Sequence, residues 1–118
     1  MKIHEMIERL KAHPEADRVG MIASHLGIVR ATSRDGDDVT EIDVRYDQDE
    51  ITNIIQNTKR LPGIVDVLIE TRAGRLKVGE EIMAVAVAGD IRENVFPALS
   101  KTVDEIKAKA SRKKEFFR

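Results

Sequence analysis

The sequence predicts an α+β fold, a mixed and mostly antiparallel sheet packed with about three helices. Three observations predict it. Apolar residues recur at helical spacing in three separate stretches, and pairs of strand-like runs lie between those stretches. One of the runs, Ile82 to Ala88, is apolar at every position, as a strand buried on both faces must be. A chain of 118 residues with 42 % apolar and 35 % charged side chains reads as a single domain, residues 1–118, with surface enough for one core.

Each element has its own local cause. Ile3, Met6, Ile7 and Leu10 follow i, i+3, i+4, i+7 spacing, so they form one face of a short helix that stops before Pro14. Val19 to Ala31 is a long, mostly apolar strand interrupted by Gly20 and Gly27. Arg34-Asp35-Gly36-Asp37 is a turn signal, and Ile42, Val44 and Tyr46 alternate with polar residues along a half-buried return strand. Asp47 or Asp49 caps a second helix, with Ile51, Ile54, Ile55 and Leu61 on one face, and Pro62-Gly63 ends it. Ile64 to Thr71 is a third strand, Ala73-Gly74 and Val78-Gly79 bracket a short segment, and Ile82 to Ala88 is the central strand. The last helix has two rival caps, Asp90 and Asn94. Pro97 favours the later start, because proline is harmless in a first turn and costly in an interior. Its buried stripe is Val95, Phe96, Leu99, Val103 and Ile106.

Composition excludes several chemistries. With no cysteine there is no disulfide, zinc–thiolate site, iron–sulfur cluster or thiol nucleophile, and a reducing, cytoplasmic location is expected. The N-terminus MKIHEMIERLK is charged and amphipathic without an apolar core segment, so no export signal is expected, and no apolar run is long enough to span a membrane. Gly74 and Gly79 have the gap of a phosphate-binding loop, but Glu80-Glu81 stands where lysine and a hydroxyl residue are needed. His4, His13 and His25 share no ligand spacing, so no metal site is expected. Three phenylalanines and one tyrosine give few platforms for bases, and with a net charge of −1 no nucleic-acid partner is expected.

The net charge hides an asymmetry. Asp35 to Glu50 holds eight acids and one base, Arg45, whereas Lys107 to Arg118 holds six bases and one acid, Glu115. Such segregation suggests a solvated acidic face at one end and an anion-attracting surface at the other. A set of cations remains as the candidate chemistry: Arg30 at a strand end, Arg92 at the start of the last helix, and Lys107 and Lys114 near its end. Arg92 and Lys107 are fifteen residues apart, about 22 Å along a continuous helix, so one site using both needs a long substrate or a second subunit. Lys107 and Lys114 are seven apart; a continued helix puts them on one face about 10 Å apart, and an intervening turn brings them closer.

Four segments carry a resemblance. GIVRATSRDG is similar to a strand ending in Gly-x-Val-Arg and a polar loop, and ETRAGRLKVGEEIMAVAV to a His-Arg-x-Gly, Gly-Asp/Glu-x-x-Val stretch. AGDIRENVF falls where Ser-Ala-His-Arg precedes a helix, and VDEIKAKASRKKEFF falls where one lysine is followed by a second seven residues later. In this order and at these intervals they resemble the catalytic (large) subunit of molybdopterin synthase, over residues 19–117.

The resemblance implies an α/β hammerhead-like fold and a sulfurtransferase. Such an enzyme takes sulfur from the thiocarboxylated C-terminal Gly-Gly of a small ubiquitin-like partner. It adds two sulfurs to cyclic pyranopterin monophosphate, making the dithiolene of molybdopterin, with no cofactor of its own. It also implies a homodimer, a heterotetramer with the partner, catalytic roles for Lys107 and Lys114, and anion-binding roles for Arg30 and Arg92, the latter from the neighbouring subunit. Both substrates are anions, and guanidinium forks suit phosphate. Lys107 is then the acid/base group or holds the acyl carbonyl, and Lys114 stabilises developing negative charge.

The sequence departs from the family at four places. Ile91 replaces the histidine before Arg92, and His25 stands where an aromatic is usual, two residues before Gly27, which makes His25 the candidate replacement anion donor. The segment SRKK lacks the proline and aromatics that end the helix, so Lys113 stands as a substitute for Lys114. The sequence ends at Arg118 where relatives run on to a further strand, so Lys114 is expected to be loosely anchored until the partner binds. Two other readings stay open: a non-catalytic relative that keeps fold and dimer as a binding module, and a small anion- or nucleic-acid-binding domain using the basic C-terminus.

Overall fold

In the computed structural model, which describes residues 2–118, the chain runs α1 (Ile3–Lys11), β1 (Met21–Ile28), β2 (Val39–Tyr46), α2 (Gln48–Lys59), β3 (Ile64–Thr71), β4 (Gly74–Lys77), β5 (Glu81–Gly89), α3 (Arg92–Glu105) and β6 (Ser111–Phe117). The strands form two antiparallel three-stranded sheets, in the orders β1-β5-β3 and β4-β2-β6.

The apolar run is central, as expected, and its two faces differ in bulk. Met83, Val85 and Val87 point to α2 and α3, where they join Ile51, Ile54, Val95, Ala98, Val103 and Ile106. Ala84, Ala86 and Ala88 point the other way, and the small side chains let α1 lie close through Met6 and Leu10. This period-2 split of large and small residues lets one strand serve two packing layers of different depth.

The sequence does not predict the second sheet. The sequence reads β2 as the return strand of β1, yet β1 spends its pairing on β5, from Met21 opposite Gly89 to Ile28 opposite Glu81. Residues 29–38 fold over as a loop, with a bridge from Thr32 to Asp38 and a hydrogen bond from the Ser33 N–H to the Asp37 carbonyl, and carry β2 into the other sheet. There Ile42 and Val44 build a separate apolar cluster with Val29, Val39 and Leu76.

Two helix ends have clear causes. Asp47 caps α2, its carboxylate accepting from the Asp49 and Glu50 N–H groups at 3.0 and 3.2 Å. Gly63, at φ +77°, turns the chain into β3, and any side chain there would run into Asp90 and Asn94 at the start of α3.

The expectations for α3 need three corrections. It starts at Arg92 rather than after Asn94, because Asp90 and Asn94 act together: the Asp90 carboxylate accepts from the Ile91 N–H at 2.7 Å and the Asn94 amide at 2.9 Å. Pro97 therefore lies inside the helix, on its exposed side, where solvent can take the carbonyl that loses its partner. Phe96 is 55 % exposed, one residue out of phase with a stripe that instead includes Ala98 and Thr102.

The largest correction concerns the basic C-terminal stretch. It does not continue as helix: a five-residue π turn, Ile106–Ala110, ends α3, and Ser111–Phe117 pairs with β2. The acidic and basic stretches are thus neighbours and not opposite ends of the molecule, with Asp43 opposite Lys114. Only the Asp43–Lys114 pair is of opposite charge, and Arg45 lies opposite Arg112, so the pairing that the polar sequence of β6 does not signal rests on the backbone ladder along the β2 edge and not on charge.

Candidate active site

A cavity of about 660 Å³ opens between the end of β1, the loop that follows it, and the inner face of β2 and β6. Three of the five expected site residues line it. His25 comes from β1, Arg30 from the loop just after, and Lys107 from the π turn after α3. Their convergence is a product of packing, since β1 and α3 share one layer of core through Met21, Ala23, Val103 and Ile106. Ile106 and Ala110 are buried, while Lys107 between them is exposed. The turn is therefore anchored at both ends and holds its lysine outward.

The electrostatics are cationic with two acids admitted. Arg30, Arg34, Lys107 and Lys113 line the cavity beside Asp35 and Glu115. Burial and the nearby Lys107 ammonium both hold the His25 imidazole below its usual pKa of 6.5. That favours the neutral imidazole at pH 7. Tyr46 closes the inner wall: its hydroxyl donates to the Ile82 carbonyl at 3.2 Å, tying the second sheet to the first, and burial pushes its pKa up to about 12. Loop 33–37 forms a rim, with the Ser33 hydroxyl accepting the Asp37 N–H at 3.1 Å and Gly36 at φ +89°. Among the described residues no group of three or more His, Asp or Glu is placed to hold a metal ion.

Two expected site residues lie elsewhere. Arg92 is at the far end of β5, beside Gly89, whereas the cavity is at the Met83 end. The six residue steps from Met83 to Gly89 span roughly 20 Å of strand. Arg92 is exposed there and pairs with Glu93 at 3.2 Å, so within one chain it does not meet Arg30 or Lys107. Lys114 does not line the cavity either. Side chains alternate along β6, so Lys113 faces inward opposite Val44 and Lys114 faces outward opposite Asp43. The expectation of Lys107 and Lys114 on one helical face fails because the helix ends between them.

Tyr46, Arg34 and Glu115 were not singled out from the sequence. Tyr46 was legible as an inward residue of an alternating strand, but nothing local says that its inner face borders a cavity and not a core. Arg34 and Glu115 carry no signal beyond charge.

The chain has relatives. A family model described as MoaE protein matches residues 1–109. The molybdopterin synthase catalytic subunit of Ralstonia nicotianae is 29 % identical over 97 residues, which cover 79 % of this chain and 54 % of that protein. The probable molybdopterin synthase of Haloferax volcanii is 29 % identical over 111 residues, covering 89 % of this chain and 42 % of that one. The chain spans about half the length of these two relatives. Among solved structures, the molybdopterin cofactor biosynthesis protein E from Burkholderia multivorans superposes with a TM-score of 0.79 at 27 % identity, covering 100 % of this chain and 82 % of that chain.

Proposed function

The chain belongs to the MoaE protein family, and on that premise we propose that it is a sulfurtransferase of the molybdopterin synthase type. It takes sulfur from the thiocarboxylated C-terminus of a small ubiquitin-like partner and transfers it to cyclic pyranopterin monophosphate, forming the dithiolene of molybdopterin. The observation that carries this reading is the convergence of His25 and Arg30, from β1 and the loop just after it, with Lys107, from a segment far away in the chain, on one cavity.

The chemistry follows from the residue types. Both substrates arrive as anions, and the cavity offers more cations than carboxylates. Arg30 binds the pterin phosphate through its fork, and His25 adds a ring N–H donor in place of the histidine that Ile91 replaces. Lys107 is the group at the reacting carbonyl: it holds the acyl oxygen of the thiocarboxylate and exchanges the proton as sulfur departs. Sulfur arrives as an acyl thiocarboxylate: once it has bonded to a pterin carbon, water cleaves the acyl–sulfur bond and leaves the partner's C-terminus as a carboxylate, and a second thiocarboxylated partner brings the second sulfur. Arg92 completes the anion site from a second copy, which makes the working unit a homodimer and, with partners bound, a heterotetramer. The proposed location is cytoplasmic; no helix among the described residues is long and apolar enough to cross a membrane.

The test is direct. Purified protein, thiocarboxylated partner and cyclic pyranopterin monophosphate are expected to give dithiolene product, and Lys107→Ala to lose about a hundredfold or more in rate. Pterin binding without any product from a fully thiocarboxylated partner would overturn the catalytic reading in favour of a binding module. A His25→Ala variant with unaltered pterin affinity would remove the role given to His25.

A further inference from the structure

We infer that Lys113, and not its neighbour Lys114, supplies the second ammonium group that faces an anion bound beside Lys107. The inference rests on the proposed function for the identity of the anion, but not for the geometry. Lys113 lines the cavity that Lys107 lines, with Ser111 and Glu115 on the same face of β6. Its cross-strand partner is Val44, which is 2 % exposed and belongs to the apolar inner face of β2.

Lys114 occupies the opposite face and has company there. Asp43 is its cross-strand partner, Arg75 is in turn opposite Asp43 on β4, and both cations lie over the Phe116 ring, at 4.0 Å for Arg75 and 5.3 Å for Lys114. An ammonium held over an aromatic face, next to a carboxylate, has a structural use on that surface.

Exchanging the two lysines would take a one-residue slip of β6, because the side-chain period of a strand is two. The strand is pinned against that slip at both ends. The Asp47 N–H donates to the Ala110 carbonyl at 2.8 Å just before β6, and the Arg118 N–H donates to the Asp38 carbonyl at 3.1 Å just after it. The Thr40 hydroxyl adds a third tie, to the Phe116 carbonyl at 3.2 Å. A slip would also turn Arg112 and Phe116 inward together with Lys114. The π turn sets the phase upstream. By taking five residues it delivers Ser111, and hence Lys113 two positions later, to the face that borders Lys107.

The test compares Lys113→Gln, Lys113→Arg and Lys114→Gln in the full chain. Turnover is measured with the thiocarboxylated partner, and separately the binding of inorganic pyrophosphate is followed by NMR shifts of the cavity backbone. Lys113→Gln is expected to lose about tenfold or more in turnover and to weaken pyrophosphate binding, and Lys113→Arg to restore the binding. Lys114→Gln is expected to stay within about twofold in both, as a surface substitution does. Loss in Lys114→Gln with Lys113→Gln near wild type, or equal loss in both, overturns the inference. If the wild-type protein makes no product, the sulfur-transfer reading fails, while the pyrophosphate shifts still decide which lysine faces the cavity.

Discussion

His25 shows how one residue's surroundings set its chemistry. It stands half-buried in a wall that also presents Lys107, Arg30, Arg34 and Lys113, with Asp35 and Glu115 as the carboxylates that line the same cavity among the described residues. Burial first, and the Lys107 charge second, depress its folded pKa below 6.5. The unfolded chain then binds the proton more readily. The stability linked to His25 is therefore fully present above pH 6.5 and is lost as pH falls through the lowered folded value. Between pH 7 and pH 5 the wild-type protein is expected to lose stability that a His25→Gln variant keeps, as measured by denaturant midpoints across that range. Saturating inorganic phosphate is expected to raise the His25 pKa, read from the NMR titration of its ring protons. No upward shift with phosphate would mean that the ring does not face the anion.

At the scale of elements, the pairing of α2 with α3 turns on two buried hydroxyls. Thr58 and Thr102 are 3 % and 0 % exposed and lie 3.0 Å apart. The Thr102 hydroxyl donates to the Ala98 carbonyl at 2.7 Å, which uses its one proton, so Thr58 must be the donor between the two. Thr102→Val strands the Thr58 donor in the core and is expected to cost about 1–3 kcal/mol. The double variant Thr58→Val, Thr102→Val removes both polar groups at nearly constant shape, so its loss should fall well below the sum of the two single losses. Additive losses in a denaturant double-mutant cycle would show that the hydroxyls do not interact. The same pair explains why α3 carries a threonine where its apolar stripe calls for a hydrophobe.

For the whole molecule, the question is why Arg92 stands about 20 Å from the cavity along the strand direction. In the proposed homodimer, a second copy would bring its Arg92 to the first copy's Arg30 and Lys107 and so resolve the distance. Mixed in equal amounts after subunit exchange, Arg92→Ala and Lys107→Ala proteins, each inactive by itself, are expected to regain about a quarter of wild-type activity, since half the dimers then hold one intact site. No recovery despite demonstrated exchange would show that each chain forms its site unaided.

Local sequence determined a good deal. Helical spacing of Ile3, Met6 and Leu10, the alternation of Ile42, Val44 and Tyr46, and the unbroken run Ile82 to Ala88 each specify which face is apolar, and burial then follows. The candidate site residues Arg30, His25 and Lys107 stand out through the segments that carry the resemblance, but so do Arg92 and Lys114, which do not line the cavity. What the sequence leaves open are matters of partner and phase. Whether β2 pairs with β1 or forms a second sheet depends on which strand competes better for the β1 edge, and β5 wins it along the full length. Whether 111–117 is helix or strand depends on the open edge of β2, seventy residues earlier, and the resulting alternation alone decides that Lys113 faces in and Lys114 out. Periodicity is a property of a segment, but register and edge occupancy are properties of pairs, so only the tertiary structure can fix them.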